Sequence, residues 1–190
     1  NLYLENNLNG DLTFSTNGYQ KNYDTNVDEA VLSNNLNYSS FPRNSSKIDG
    51  LQTNYKLLLR NLNSNTENSN NFKKGEDYKL LSSVIFESYL PLKKEDENSN
   101  EYLTPKMSLR YSPNSTKNNS NLNKNLNYES IYSFDRIDST AVEGGESLTL
   151  GLEYSSKNKK EEDILKISFA SIYRLNENVD LPKIYGISEK

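Results

Sequence analysis

The sequence predicts an all-β chain built as an antiparallel meander. Three observations point there. Leu and Tyr alternate with polar or small residues through most of the chain. Asn, Ser, Thr, Tyr and Gly, all weak helix formers, dominate the composition. Long and short polar links alternate between the candidate strands. With no helices between them, successive strands must pair antiparallel.

The strands follow in order. DLTFSTNGYQ is the weakest candidate. LSNNLNYSS places Leu32, Leu36 and Tyr38 on one side. In LQTNYKLLLR, Leu51, Tyr55, Leu57 and Leu59 oppose Gln52, Asn54, Lys56 and Arg60. YKLLSSVIFESYLP is apolar but mixed on both faces. In YLTPKMSLRY, Leu103, Met107, Leu109 and Tyr111 oppose Thr104, Lys106, Ser108 and Arg110. Leu148, Leu150, Leu152 and Tyr154 oppose Thr149, Gly151 and Glu153. In ILKISFASIYRL, Leu165, Ile167, Phe169, Tyr173 and Leu175 oppose Lys166, Ser168, Ala170 and Arg174. The reading is about seven strands of roughly ten residues or more. Asn-, Ser- and Lys-rich loops are expected at about 63–77 and 113–145, with FPRNSSK, KKEDENSNEY and KNKKEED as shorter links.

Composition narrows the class. The net charge of -4 and the absence of a basic excess argue against nucleic-acid binding. With no His and no Cys, the commonest zinc ligands, disulfides and the usual triad base are missing. No apolar run is long enough for a membrane-spanning helix. NLYLENNLNG lacks the parts of a signal peptide, so the chain reads as the middle of a longer protein. Hydrophobic residues make up 33%, thin for a packed core. Three architectures stay open. One is a membrane barrel with its apolar face toward lipid. Another is a soluble or surface β-sandwich with an adhesive or structural role. The third is an Asn-rich disordered segment, against which the sustained alternation argues.

Among the candidate site residues, Asp135 and Arg136 stand out in an otherwise Asn- and Ser-rich tract. They form either a solvated surface pair or a pair that pins the long loop inward through directed guanidinium bonds. Gly144 and Gly145 suit a turn with positive φ ahead of a strand. Gly151, inside a strand, suggests a bulge or the close approach of another chain segment. Lys56, Arg60, Lys106, Arg110, Glu153 and Lys166 share the polar face; they keep it wet or attract anionic groups. Asp24, Asp28, Glu29, Glu95, Asp96 and Glu97 show no metal-ligand spacing and read as solvated turns. No pattern for catalysis or for a cofactor emerges, and the expected role is that of a non-enzyme.

One resemblance chooses among the architectures. Leu103-Thr104-Pro105 opens a strand that closes on Tyr111-Ser112-Pro113. A long tract then carries Asp135-Arg136, Glu143-Gly144-Gly145, Gly151-Leu152 and Tyr154, and RLNENVDLPKIYGISEK follows the next strand. This order, over about Glu101–Gly186, resembles the C-terminal barrel region of the LptD family, the lipopolysaccharide-assembly proteins of the outer membrane. The sequence departs from the family where Thr140, Ala141 and Val142 stand in place of a second Asp-Arg pair. The resemblance implies that residues 1–190 are part of one large transmembrane β-barrel domain in a diderm (Gram-negative) bacterium, not closed by themselves. It implies lipopolysaccharide as cargo and an LptE-like lipoprotein in the lumen. An LptA-like periplasmic bridge would reach it through an N-terminal domain outside this chain. Glu143 joins Asp135, Arg136 and the three glycines as a structural candidate of the loop and lumen.

Overall fold

The computed structural model describes residues 2–4, 9–24, 26–97, 99–117, 120, 126–137 and 140–181. They form one antiparallel sheet with strands β1 (Leu2–Leu4), β2 (Gly10–Tyr23), β3 (Val27–Ser40), β4 (Arg43–Asn44), β5 (Gln52–Glu67), β6 (Gly75–Tyr89), β7 (Leu92–Glu95), β8 (Ser99–Ser112), β9 (Gly145–Asn158) and β10 (Asp163–Arg174). The order is β1-β2-β3-β5-β6-β8-β9-β10, with β4 paired to β5 and β7 to β8. The sheet is open, because β1 and β10 each pair on one side only among the described residues.

The short strands are continuations. Phe41-Pro42 separates β3 from β4, and Leu90-Pro91 separates β6 from β7. The second break has a physical cause on both sides. Proline cannot donate to a ladder, and the gap at Leu90-Pro91 faces Pro105 of β8. There Leu90 N–H donates to the Pro105 carbonyl at 3.1 Å, and ordinary pairing resumes at Tyr89–Lys106 and Leu92–Leu103.

Two expected boundaries move. The stretch expected as a loop from 63 belongs to β5 as far as Glu67, and β6 begins at Gly75, so the link is 68–74. Asn61, Asn63 and Asn65 face one way while Leu62, Ser64 and Thr66 face the other, so the alternation continues beneath an Asn-rich composition. The long link is 113–144; Gly145, at φ 82°, already opens β9. It carries one 3-10 turn, Ser130–Tyr132. DLTFSTNGYQ, weakest by sequence, is the core of the 14-residue β2. Pro182 and Gly186, used in the resemblance, lie outside the described residues.

Links 68–74 and 113–144 and the β2–β3 turn share one end of the sheet, called here the loop end. The β4–β5, β7–β8 and β9–β10 connections lie at the other.

The two faces differ in the opposite sense to a water-soluble sheet. One carries Leu32, Leu36, Tyr55, Leu57, Leu59, Val84, Phe86, Leu109, Leu150, Leu152 and Phe169, all exposed. Leu150 is 42%, Leu152 43% and Phe169 70% accessible. On this face no charged side chain stands between Leu103 and Tyr111, Leu148 and Tyr154, or Leu165 and Tyr173. The other face carries Ser33, Asn35, Arg60, Ser83, Glu87, Ser108, Arg110, Ser147 and Thr149, all buried. What buries them is link 113–144, laid across the polar face.

The register adds a second asymmetry. Phe14, Leu36, Leu59 and Ser82 occupy one cross-strand row, which lies beyond the last β6–β8 pair, Val84–Tyr111. Phe169, Leu152 and Pro105 occupy another, which reaches the Leu90-Pro91 break. The apolar stretch thus climbs diagonally across the rows from β10 to β2.

Candidate functional site

The site is the contact between link 113–144 and the polar face. Residues facing one another across a ladder point the same way. Arg110, Ser147 and Arg174 are such neighbours on β8, β9 and β10, and Lys56 and Ile85 extend the row through β5 and β6. The link delivers the complementary groups.

Arg136, 1% accessible, donates from Nε to Glu143 Oε2 at 2.5 Å and from Nη2 to Ser147 Oγ at 2.9 Å. Arg174 donates from Nε to the other oxygen of Glu143 at 2.8 Å. The Glu143 carboxylate is therefore held between a loop guanidinium and a strand guanidinium. Burial alone would push its pKa up; the charges of Arg136, Arg174 and Arg110 outweigh that and hold it at about 2. Arg110 donates to the carbonyls of Ser133 and Phe134 at 2.9 and 3.0 Å, gripping loop backbone. Arg60 reaches Asn35 Oδ1 at 2.5 Å, the Ala141 carbonyl at 3.3 Å and Asp135 Oδ1 at 2.7 Å. Arginine suits this work because its planar fork binds several acceptors at once and keeps its charge when buried.

A second contact lies nearer the middle of the sheet. Tyr132, on the 3-10 turn, packs edge-on against Tyr128 at 5.5 Å between ring centroids and sits over Gly151. A methyl group at Gly151 would collide with the Tyr132 hydroxyl, so the strand glycine makes the socket. Lys106, beside Gly151 in the ladder, holds its ammonium 3.9 Å from the Tyr132 ring centroid. Glu87 lies between Lys56 at 2.9 Å and Lys106 at 3.7 Å. The Tyr132 phenol is held above its ordinary pKa, by burial first and then by Tyr128. The start of the loop is fixed as well: Gly144 N–H donates to Thr116 Oγ1 at 2.9 Å, and Asn178, beyond β10, donates to the same oxygen at 2.6 Å. Ile137 and Leu181 pack together with Leu126 in a small apolar cluster behind this seam.

The sequence-derived residues thus divide. Asp135, Arg136, Glu143, Gly144, Arg60 and Arg110 meet at one clamp, and Gly151 and Lys106 meet at the tyrosine socket. Gly145 serves the turn into β9 and is open on its Cα side. Lys56 supports Glu87. Glu153 and Lys166 pair with each other at 3.4 Å, away from both contacts. Sequence reasoning missed Glu87, Tyr132, Ser147 and Asn35, and noted Arg174 only as a member of the face. The polar parity of Ser147 and Glu87 within their strands was an available signal; Tyr132 offered none. Among the described residues no three metal-ligating side chains converge. The arrangement fastens a loop; it positions no nucleophile beside a base.

No family model matches the chain, and no curated protein matches it.

Proposed function

We propose that the chain is a length of wall from a transmembrane β-barrel of the outer-membrane type, with its own loop clamped against the lumen side. Within that class we read it as the barrel portion of an LptD-like translocon that delivers lipopolysaccharide to the outer leaflet.

The observation that carries the first step is the inverted sheet: a charge-free apolar face in the open and a charged face buried. Exposed apolar areas of this extent mark contact with membrane or partner, and a barrel wall alternates apolar outward with polar inward. Three details agree. The row from Leu103 to Tyr111 runs about 27 Å along the strand, or about 20 Å in height at ~45° tilt, near the ~25 Å band of such barrels. Tyrosines stand at the ends of the apolar rows: Tyr78, Tyr111 and Tyr173 at the loop end, Tyr38, Tyr55 and Tyr154 at the other. That is the pattern of interfacial aromatic girdles. The diagonal climb of the apolar stretch is what strands tilted to a membrane plane require. A soluble sandwich would need a second layer over Leu148, Leu150 and Leu152, and among the described residues nothing provides it.

The LptD-like step rests on the ordered resemblance from Leu103-Thr104-Pro105 to Tyr154, and brings with it lipopolysaccharide, an LptE-like lumenal lipoprotein and an LptA-like bridge. Depleting the protein from its diderm host tests it. Newly made lipopolysaccharide should fail to reach the cell surface. Normal surface lipopolysaccharide after depletion would overturn the translocon reading while leaving the barrel. For the barrel itself, the chain should require detergent or lipid to stay dispersed; a soluble, cooperatively folding monomer in plain buffer would overturn it.

A further inference from the structure

The β5–β6 hairpin rises past the end of β8. Strand β6 pairs with β8 only from Val84 to Tyr89, so its edge from Gly75 to Ser83 has no strand beside it among the described residues. The chain leaving β8 does not follow that edge. Asn114 Nδ2 and Ser112 Oγ tie it to the Ser82 carbonyl at 2.7 and 2.8 Å, and it then turns onto the polar face. A notch of about 460 Å³ remains between β6 and Asn114–Lys117. Its lining draws on both faces of the wall. Leu80 belongs to the outer apolar face; Leu62, Leu81 and Val142 belong to the inner, loop-covered side. Phe72 closes it from link 68–74.

The polar groups of the notch are of one sign. Lys79 and Lys117 line it and no carboxylate does. Lys79 bridges Asp77 at 3.1 Å at the edge of the notch, and Lys117 lies 4.4 Å from the centroid of Phe72. The volume is in the range of small-molecule sites. Apolar walls with ammonium groups, opening on an exposed apolar face at its loop end, match one ligand chemistry. That chemistry is an anionic headgroup joined to a hydrocarbon tail.

We infer that this notch is a side port in the wall, which takes a phosphate-bearing lipid from the surrounding leaflet, its tail against Leu81 and Val142 and its phosphate between Lys79 and Lys117. The inference rests on the membrane reading, and the test separates the two. The chain contains no Trp, so single Trp reporters are clean. Leu81→Trp and Phe72→Trp place a reporter in the notch. Leu58→Trp places one on the covered face, outside the lining, and Leu109→Trp one on the open apolar face. Each is reconstituted with the full chain in phosphatidylcholine bilayers that contain tail-brominated phosphatidylglycerol or tail-brominated phosphatidylcholine.

The expected result is that brominated phosphatidylglycerol quenches Leu81→Trp and Phe72→Trp, that brominated phosphatidylcholine does so far less, and that Leu58→Trp stays bright. Lys79→Ala and Lys117→Ala should each reduce the preference by about fivefold. Equal quenching by both lipids, quenching of Leu58→Trp, or bright notch reporters beside a quenched Leu109→Trp would overturn the port and leave the barrel. A bright Leu109→Trp would overturn the membrane reading and the port with it.

Discussion

Arg136→Ala is the sharpest probe of the clamp. It removes one of the two guanidiniums that hold Glu143, and the donor that reaches Ser147. Truncating one partner of a buried ion pair costs about 3–5 kcal/mol, because the other charge is left buried. Arg174 still faces the second oxygen of Glu143 at 2.8 Å, so the expected loss is near the lower figure. The pKa gives an independent scale. A carboxyl held at about 2 against an ordinary 4.5 corresponds to about 3 kcal/mol favouring the clamped, ionised form. A penalty of about 3 kcal/mol shifts loop docking by roughly a hundredfold. Hydrogen exchange reads this directly, because the Gly144 amide is bonded only while the loop lies against Thr116. In lipid or detergent, the amides of 140–144 should exchange about a hundredfold faster in Arg136→Ala. Arg136→Lys, which keeps the charge without the fork, should fall between. In cells, the variant should admit antibiotics that the parent excludes. Exchange unchanged from the parent, with the variant folded and at normal levels, would refute the clamp.

Other outcomes follow from the same geometry. Because the folded pKa of Glu143 is depressed, its contribution is complete above the ordinary value of 4.5 and fades as pH falls toward about 2. Loop exchange should thus be flat from neutral pH to about 5 and rise below about 4, and a rise already complete at pH 6 would contradict the assignment. Gly151→Ala should unseat Tyr132 and speed exchange across Ser130–Tyr132, and adding Tyr132→Phe, which deletes the colliding hydroxyl, should restore part of the protection. Failure of that rescue would mean that the tyrosine does not occupy the socket. Glu87→Gln leaves the ammoniums of Lys56 and Lys106 facing each other and should cost about 1–3 kcal/mol in a denaturant midpoint, less when Lys106 is also replaced. Leu150→Arg should cost about 2–4 kcal/mol of stability in a bilayer. If it is neutral there, that face does not meet lipid.

The sheet was readable where alternation and composition agree. Leu148, Leu150 and Leu152 against Thr149 and Glu153 can be sorted into faces from the sequence alone, because strand geometry forces the parity. It was harder where they disagree. The end of β5 looks like a loop, since Asn and Ser are turn formers, yet ladder bonds to β3 and β6 keep it extended through Glu67. Which face is buried could not be read at all, because a period of two is the same for a wall in lipid and a layer in a sandwich. The clamp was half legible. Asp135, Arg136 and Glu143 are conspicuous charges in a neutral tract, but their partners, Arg60 at 75 positions' separation and Arg174 at 31, depend on how the link crosses the sheet. Tyr132 is one of 14 tyrosines and nothing local marks it.

The guanidinium bonds have a mechanical consequence. Arg60, Arg110, Ser147 and Arg174 stand on β5, β8, β9 and β10, and one segment of backbone ties them all. It acts as a hoop across the staves of a cask. Sliding or parting any two of these staves would have to break several charged bonds at once, so whatever breathing the assembled vessel performs must be taken up at seams outside this quarter of its circumference.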